Sequence, residues 1–253
     1  VMMASQLKGI PVLVGADRYR VGLRALEAFD PDMIILDDAF QHRRLHRDLD
    51  LVLIDARRGF GNGRLVPRGA LREPVSALSR ADAVILTRSA GDEPALYLER
   101  HRQKPVFHAA HQPCMAGVFD LSGAAAKVAS PFTYAADLGY LSRKRVFGFS
   151  GIARNEEFRR TLADNAGNLA GFLSYPDHHD YSDGDLRHIF DSAASCAADI
   201  LATTEKDYVR VAGRMRVDMP VAVVGVKIVF HQGDETAFLR FLRLRLRSTA
   251  VGV

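Results

Sequence analysis

Residues 145–174 read RVFGFSGIARNEEFRRTLADNAGNLAGFLS, and their hydrophobic pattern decides the fold class. The short apolar runs at Arg145–Phe149 and Ala170–Ser174 indicate two strands. Between them, the 3.6-residue period over Asn155–Asn165 indicates a helix. A strand, a helix and a second strand in this order form the repeating unit of a parallel sheet. The stretch therefore predicts an α/β protein.

The same alternation of short apolar runs and helical patterns extends in both directions along the chain. It predicts mostly parallel, doubly wound sheets. The further predicted strands are Pro11–Val14, Met33–Asp37, Leu51–Asp55, Ala83–Thr87, Val106–Ala109, Asp199–Thr203 and Val221–Val226, and the further predicted helices are Tyr19–Phe29, Glu93–Arg102, Asp183–Ala197 and Asp234–Arg247.

The middle of the chain predicts a domain boundary. Residues 112–143 carry little helical signal, and Cys114–Leu121 indicates an extended segment. We therefore expect a first α/β domain over residues 1–111, a linker over 112–143 and a C-terminal α/β domain over 144–253. The apolar side of the last helix is predicted to pack onto the second domain. The alternative is a helix that lies on a membrane surface.

Composition excludes several classes of protein. The 253 residues are 48% hydrophobic and 25% charged, with a net charge of +4, which is typical of a globular protein and unlike disordered, collagen-like or coiled-coil chains. Two cysteines are too few for a disulfide framework and favour a reducing, cytoplasmic setting. No apolar run approaches the roughly 20 residues of a membrane-spanning helix.

The first candidate site follows the predicted strand Met33–Asp37. Four apolar residues run directly into Asp37 and Asp38. Carboxylates held at the end of a buried strand position Mg²⁺ beside nucleotide phosphates in phosphoryl-transfer proteins. The alternative is that the two acids only cap a loop.

An arginine cluster follows these acids and suits an anionic ligand. Guanidinium groups bind phosphate through two parallel hydrogen bonds. The alternative for each arginine is a solvated surface position. Glu73 ends the long loop Ala56–Glu73 and either begins a helix or joins the metal site. The cluster comprises Arg43, Arg44, Arg47, Arg57, Arg58, Arg64, Arg68 and Arg72.

Two motifs follow predicted strands in the second half of the chain. Tyr175–Tyr181 contains two histidines and two aspartates, which suits a general base, a partner that orients one, or a transition metal. Asp177 is alternatively a turn residue, and one of the histidines is alternatively only exposed. Thr203–Asp207 offers hydroxyls and Lys206 to a phosphate, or else begins a helix with Thr203 or Thr204 as its N-cap.

The phosphate-binding signature GxxxxGK[ST] does not occur in these 253 residues. A Walker-type phosphoryl-transfer enzyme needs that loop and its lysine. The chain also opens on Val1-Met2-Met3-Ala4 without a start signal. We therefore expect that an N-terminal segment precedes Val1 in the intact protein and that residues 1–253 alone are inactive.

Several motifs in register resemble the tetraacyldisaccharide 4′-kinase family, the lipid A 4′-kinases. The likeness extends over essentially the whole chain. The motifs are DDAFQH at 37–42, RD at 47–48, GFGNG at 59–63, PRGALREP at 67–74, FSGIAR at 149–154, YPDHH at 175–179 and TTEKD at 203–207.

The resemblance implies a two-domain α/β protein with a P-loop-kinase-like first domain, joined to the second by a short β linker. It implies ATP and Mg²⁺ as cofactors and a tetraacylated glucosamine disaccharide as the acceptor, at its 4′-hydroxyl. It also implies a peripheral or anchored position at the cytoplasmic face of the bacterial inner membrane. Nucleic acid is not expected as a partner, and the oligomeric state is not predicted.

Site residues are carried over by motif. The resemblance implies catalytic roles for His178, Asp177 and Arg72, with His178 supporting a catalytic carboxylate. Nucleotide binding is expected of Asp37, Asp38, Gln41, His42 and Lys206, and metal binding of Asp37, Asp38, Gln41 and Glu73.

The chain also departs from the family pattern. The family's hydrophobic N-terminal helix, its phosphate loop and a catalytic aspartate would all precede Val1, and Ala39 replaces the usual glycine. The alternative function is a metal-dependent sugar-nucleotide transferase that uses Asp37 and Asp38. A non-enzymatic anion or nucleic-acid binder is disfavoured, because basic and aromatic residues are not interleaved as in nucleic-acid modules.

Overall fold

The computed structural model describes residues 3–4, 7, 9–91, 104–119, 138–215 and 218–249, with the backbone alone for 247–249. The chain divides into two compact units. Unit 1 contains residues 1–12 and 113–227, and unit 2 contains residues 13–112 and 228–253. The predicted domains of residues 1–111 and 144–253 differ from this division, because residues 228–253 group with the first half of the chain.

The described residues form an α/β structure, as predicted. The strands are β1 (Leu51–Asp55), β2 (Ala83–Thr87), β3 (Val106–Phe119), β4 (Arg145–Ser150), β5 (Asn168–Ser174), β6 (Ile200–Thr204) and β7 (Val221–Phe230). The α-helices are α1 (Arg18–Phe29), α2 (Asn155–Asn165), α3 (Asp183–Ser195), α4 (Glu205–Val211) and α5 (Asp234–Thr249). The strand order is β1-β2-β3-β7-β6-β4-β5, and β3 and β7 each continue from one unit into the other.

Unit 1 is built on four parallel strands. β4 pairs with β5 on one side and with β6 on the other, and β6 also pairs with β7. Every residue of β6 is buried, as expected for a parallel strand covered on both faces. In the core of unit 1, aromatic residues such as Phe147, Phe149 and Tyr181 pack against aliphatic residues of α3 and α4. Because the four strands are parallel, their carboxyl ends lie at one edge of the sheet.

Unit 2 contains the parallel strands β1, β2 and the first part of β3. Every residue of β2 is buried, and Val84 and Leu86 contribute to a small core with Ile54 and Leu78. A short 3-10 helix at Val75–Arg80 supplies Leu78. The long loop that leaves β1 therefore starts at the carboxyl edge of this sheet and returns through that helix.

Two predicted strands are wrong. Residues 11–14 and 33–37 have irregular or turn backbone. Ile35 is 86% exposed and Val14 is 87% exposed, so neither run is the buried strand that the apolar pattern predicts. A strand needs a hydrogen-bonded neighbour, and among the residues described here none pairs with either run. The pattern records apolarity but cannot show whether such a neighbour is present.

The C-terminal helix packs differently from the prediction. Phe238 and Phe241 of α5 contact Phe107 at ring-centroid distances of 5.2 and 5.7 Å, and Phe238 stacks on Phe230. All four residues belong to unit 2, and Phe107 lies outside the domain of residues 144–253 that was predicted to receive the helix. Within the described ranges, no helix is both long enough and apolar enough to cross a membrane. The predicted helix Glu93–Arg102 lies outside the described residues.

Candidate active site

The acidic pair of unit 2 lies in an exposed turn. Asp37 and Asp38 are both exposed, and Asp38 has a φ of 51°, in the left-handed region that few non-glycine residues adopt. Asp and Asn tolerate this region best, because their short polar side chains bond locally. The turn therefore presents two adjacent carboxylates to solvent, as the site hypothesis requires, although the strand predicted to carry them is absent.

Arg72 binds Asp38 directly. Its Nη1 donates to both carboxylate oxygens of Asp38, at 2.7 Å each. This hydrogen bond holds the pKa of Asp38 below its usual value and raises that of Arg72. Both side chains are more than 60% exposed, so solvent screens their attraction. Two predicted site residues from distant parts of unit 2 are thus brought together.

Glu73 is paired with Arg80. The carboxylate lies 2.8 Å from Arg80 Nη2, and the guanidinium lies 4.4 Å from the centre of the Phe40 ring. Arg80 also donates to the Phe40 carbonyl at 3.2 Å. These contacts fasten the segment after the acidic pair to the end of the long loop. Metal binding by Glu73 remains a prediction.

Arg47 is a structural member of the arginine cluster. Its Nε lies 2.6 Å from Asp50, and its Nη1 donates to the His42 carbonyl at 2.7 Å. Only 13% of its side chain is exposed. Arg47 therefore fixes the end of the DDAFQH segment beside the start of β1, instead of facing a ligand. The side chains of Gln41 and His42 are exposed, and their nucleotide-binding roles remain predictions.

The long loop is shaped by one asparagine and one glycine. The Asn62 amide accepts from the Arg64 N–H at 3.1 Å and donates to the Arg68 carbonyl at 2.8 Å. A Cβ at Gly69 would lie only 2.1 Å from the Arg64 carbonyl oxygen. Since backbone would have to move to admit any side chain, residue 69 has to be glycine.

The carboxylates of unit 2 are compatible with Mg²⁺ but do not form a complete protein cage. Mg²⁺ usually takes one or two carboxylates and completes its shell with water and phosphate. Asp37 and Asp38 supply this number of ligands. Among the described residues, no group of three or more His, Cys, Asp or Glu side chains is arranged to hold a metal. The donor set therefore fits an ion that is bound together with a phosphate ligand.

The second set of predicted residues lies at the carboxyl edge of the unit 1 sheet. Asn155 joins two strand ends, because its Oδ1 pairs with the Ser150 hydroxyl at 2.5 Å and its amide donates to the Tyr175 carbonyl at 2.7 Å. The His178 N–H donates to the Gly151 carbonyl at 3.1 Å. These bonds hold the YPDHH loop after β5 against the FSGIAR loop after β4.

The two adjacent histidines have different environments. His179 stacks on Tyr175, and its Nε2 lies 3.1 Å from the Asp185 carboxylate. His178 has a φ of 61°, and 73% of its side chain is exposed. His179 is thus committed to packing at the start of α3, whereas His178 is accessible to a ligand. A catalytic role for His178 remains a prediction.

Asp185 completes a capping box at the start of α3. Its carboxylate accepts from the Ser182 N–H and hydroxyl, and the Ser182 hydroxyl accepts from the Asp185 N–H. Together with His179, these hydrogen bonds hold the pKa of Asp185 below its usual value, with the Ser182 hydroxyl as the largest cause. The ionised form is therefore the one that stabilises the folded state.

Replacing Asp185 with asparagine is expected to lower the free energy of unfolding by about 1 kcal/mol at neutral pH. Since the folded-state pKa is lowered, the stabilisation is complete above the ordinary carboxyl pKa of about 3.9. It disappears as the pH falls through the lower folded-state value. Urea unfolding of both proteins at several pH values measures the difference, with Asp191→Asn on the exposed side of α3 as the control. A difference that stays constant down to acidic pH would contradict the assignment.

The TTEKD motif begins a helix, one of the two readings the sequence left open. Thr204 is the N-cap of α4, and its hydroxyl accepts from the Asp207 N–H at 3.2 Å. Asp207 is fully buried and accepts from the Thr204 hydroxyl at 2.7 Å and from the Gly151 N–H at 3.1 Å. Lys206 is exposed on α4, and its binding to a nucleotide remains a prediction.

Asp207, Arg210 and Asn155 were not singled out from the sequence as site residues. Arg210 Nη2 lies 2.9 Å from His178 Nδ1, and Arg210 Nη1 lies 3.6 Å from Asp207 Oδ1. The sequence did carry one signal for Asp207, because an acid three residues after a threonine is a capping-box pattern. Nothing in the pattern indicates that the acid is buried or that the next helical turn reaches His178.

In unit 1 the candidate side chains of the YPDHH loop follow a parallel strand, and in unit 2 Arg72 and Glu73 lie on the loop that follows β1, whereas Asp37 and Asp38 lie in a turn that precedes it. Loops that follow parallel strands are where open α/β sheets bind ligands. The class that the fold defines is thus an α/β protein, and the exposed carboxylates and arginines predict a site for a cation and an anionic ligand.

Comparison with known proteins shows the family to which the chain belongs. A family model described as LpxK, tetraacyldisaccharide-1-P 4′-kinase, matches residues 1–247. The chain belongs to this family. The tetraacyldisaccharide 4′-kinase of Syntrophus aciditrophicus is 39% identical over 90% of this chain and 62% of that protein. The one from Desulfatibacillum aliphaticivorans is 36% identical over 97% of this chain and 65% of its own length.

A solved structure is also similar. It is described as the "apo" form of LpxK from Aquifex aeolicus in complex with ATP, and it matches with a TM-score of 0.68 and 30% identity. The match covers 97% of this chain and 67% of that chain. The present chain spans less than two thirds of the length of each of the two curated kinases, from Syntrophus aciditrophicus and Desulfatibacillum aliphaticivorans. None of these comparisons supports the alternative of a sugar-nucleotide transferase.

Proposed function

We propose that the protein acts as a tetraacyldisaccharide 4′-kinase, transferring the γ-phosphoryl group of ATP to the 4′-hydroxyl of a tetraacylated glucosamine disaccharide. The observation that carries the proposal is the match to the kinase family over residues 1–247. ATP is also the ligand named for the similar Aquifex aeolicus structure. The acceptor is a lipid A precursor.

In unit 2, Asp37 and Asp38 are proposed to hold Mg²⁺, with Gln41 and Glu73 nearby and His42 beside the nucleotide. The ion would neutralise charge on the phosphate oxygens during transfer. Arg72 is proposed to contact phosphate. Its present partner is Asp38, so a cation at Asp38 would compete with Arg72 for the same carboxylate and free the guanidinium for an anion.

In unit 1, His178 is proposed to orient the group that removes the proton from the acceptor hydroxyl, with Asp177 beside it. The imidazole is exposed, as contact with a reacting group requires, and its backbone is held by Gly151. Asp177 Oδ2 lies 3.8 Å from His178 Nε2, beyond hydrogen-bond distance. Lys206, on the exposed side of α4, is proposed to contact the nucleotide.

The proposed position of the protein is peripheral, at the cytoplasmic face of the inner membrane, because its acceptor is a lipid. Sedimentation with vesicles that contain anionic lipid tests this position. Binding to the vesicles supports it, and a protein that stays in the supernatant at low salt contradicts it.

The test of the function is a transfer assay. The protein, expressed from its complete coding sequence, is incubated with γ-³²P-labelled ATP, Mg²⁺ and tetraacyldisaccharide 1-phosphate, and the lipid is separated by thin-layer chromatography. We expect label in the lipid only when ATP and Mg²⁺ are both present. Absence of labelled lipid, or transfer of a sugar from a UDP-sugar instead, would refute the proposal.

A further inference from the structure

The buried carboxylate of Asp207 is connected to His178 by two routes. Asp207 is 0% exposed, and its Oδ2 accepts from the Gly151 N–H at 3.1 Å. The Gly151 carbonyl in turn accepts from the His178 N–H at 3.1 Å. One residue of the β4 loop thus couples the start of α4 to the backbone of His178. A Cβ at Gly151 would lie 3.0 Å from His179 Cβ and from the Tyr181 hydroxyl, so this approach leaves little room for a side chain.

The second route passes through a side chain. Arg210 Nη1 lies 3.6 Å from Asp207 Oδ1, and Arg210 Nη2 lies 2.9 Å from His178 Nδ1. The Arg210 side chain is 31% exposed, and its charge is partly desolvated beside the buried acid. The Arg210 guanidinium therefore lies between the two groups: one nitrogen forms an ion pair with Asp207 without a hydrogen bond, and another contacts the imidazole of His178.

The contact determines where the imidazole proton lies. A guanidinium can only donate hydrogen bonds, so His178 Nδ1 has to accept one. The proton of the neutral ring then lies on Nε2, and the ring is held in one orientation. His178 also has a left-handed φ of 61°, a conformation that costs free energy and persists only where the surrounding structure enforces it. Among the residues that the structure describes, Asp177 and Arg210 are charged groups whose atoms lie within 4 Å of the ring nitrogens.

We infer that Arg210 is a positioning residue for His178, held by Asp207, and that it fixes the Nε2–H tautomer and the orientation of the imidazole. The inference deepens the proposed kinase function and rests on it for its catalytic meaning. Arg210 acts through His178 and does not itself contact the reacting atoms. The phosphate-contact role considered for the TTEKD motif is separate from this one.

The direct test is side-chain NMR of His178, which requires no activity. In the ¹⁵N-labelled chain at a pH where the ring is neutral, long-range ¹H–¹⁵N spectra should show the Nε2–H tautomer alone. Arg210→Met keeps an unbranched side chain but removes every donor, so a population with the proton on Nδ1 should appear. Arg187→Met, on the exposed side of α3, is the matched control and should leave the spectrum unchanged. An identical His178 spectrum in Arg210→Met and the parent chain would overturn the inference.

The kinetic test uses the protein expressed from its complete coding sequence. Arg210→Met should lower kcat by about tenfold to 100-fold, because the reacting groups lose their alignment, while KM for ATP stays the same. Arg210→Lys retains a cationic donor and should recover part of the rate. An unchanged kcat in Arg210→Met would overturn the inference.

Failure of the proposed kinase function and failure of the inference about Arg210 give different results. If the parent protein transfers no phosphate, the proposed function fails, and the tautomer of His178 still decides whether Arg210 positions the ring. If Arg210→Met is too unstable for the NMR measurement, the spectrum of Arg210→Lys replaces it. A Lys variant in which the Nε2–H tautomer persists supports the inference, and a Lys variant that keeps the cation but carries the proton on Nδ1 contradicts it.

Discussion

Replacing Asp38 with alanine is expected to reduce phosphoryl transfer by roughly 10²–10³-fold, the usual loss when one element of a charge-stabilising site is removed. Asp38 is one of two adjacent exposed carboxylates that fit Mg²⁺, and it is also the partner of Arg72. The substitution therefore removes a proposed metal ligand and leaves Arg72 without its carboxylate. Initial rates of lipid labelling, measured over a range of Mg²⁺ concentrations, give the loss and show whether excess metal restores the rate.

The control is Asp32→Ala. Asp32 is another exposed acid of the same unit, six residues earlier in the chain and outside the proposed site. This variant should keep the parent rate. Both variants should also keep the parent melting temperature, because both side chains lie in solvent. A loss of activity in Asp38→Ala that only follows a loss of folded protein would contradict a role in the site.

Replacing Asp207 with alanine is expected to lower the free energy of unfolding by about 3 kcal/mol, because each buried donor left without its acceptor costs about 1–3 kcal/mol. The substitution removes the acceptor of the Gly151 N–H and of the Thr204 hydroxyl, and it leaves Arg210 beside a cavity without its acid. The loss is measured by urea denaturation with fluorescence or circular dichroism.

The matched variants separate charge from shape. Asp207→Asn preserves the volume of the side chain and one acceptor, so it should lose less stability than Asp207→Ala. Asp164→Ala removes an exposed acid from α2 and should change the stability by less than about 0.5 kcal/mol. A destabilisation by Asp207→Ala that is no larger than that of Asp164→Ala would show that the buried carboxylate is not important for the fold.

The second half of the chain was predicted more accurately than the first. The β-α-β stretch from Arg145 to Ser174 matches β4, α2 and β5 closely, with α2 at the predicted Asn155–Asn165. In that half, the apolar runs of β4 and β6 coincide with burial, because each of these two strands pairs with a neighbour on both sides. The segment at 33–37 has an equally apolar sequence but no paired neighbour among the described residues, and its side chains are exposed. Whether a segment pairs with a neighbouring strand depends on the rest of the fold. The periodicity of the sequence alone could therefore not distinguish a paired strand from the unpaired segment at 33–37.

The candidate site was predicted where chemistry is concentrated in a short motif. Asp37, Asp38 and His178 each lie in a cluster of polar residues after an apolar run. Asp207 and Arg210 instead depend on which turn of a short helix faces the loop after β5, and that geometry is set by the β4, β5 and β6 strand ends. The role of Arg47 was also hidden, because an arginine that holds a backbone carbonyl cannot be told by type from one that meets a ligand.

The ion pairs of unit 2 change what its many arginines mean for ligand binding. Arg47 and Arg72 are each already neutralised by an aspartate, and Arg80 by Glu73. An anion that reaches Arg72 exchanges one carboxylate for another negative group, so that contact adds little net charge neutralisation. The affinity for a phosphate ligand should consequently decrease less steeply with ionic strength than the number of arginines in the loop suggests.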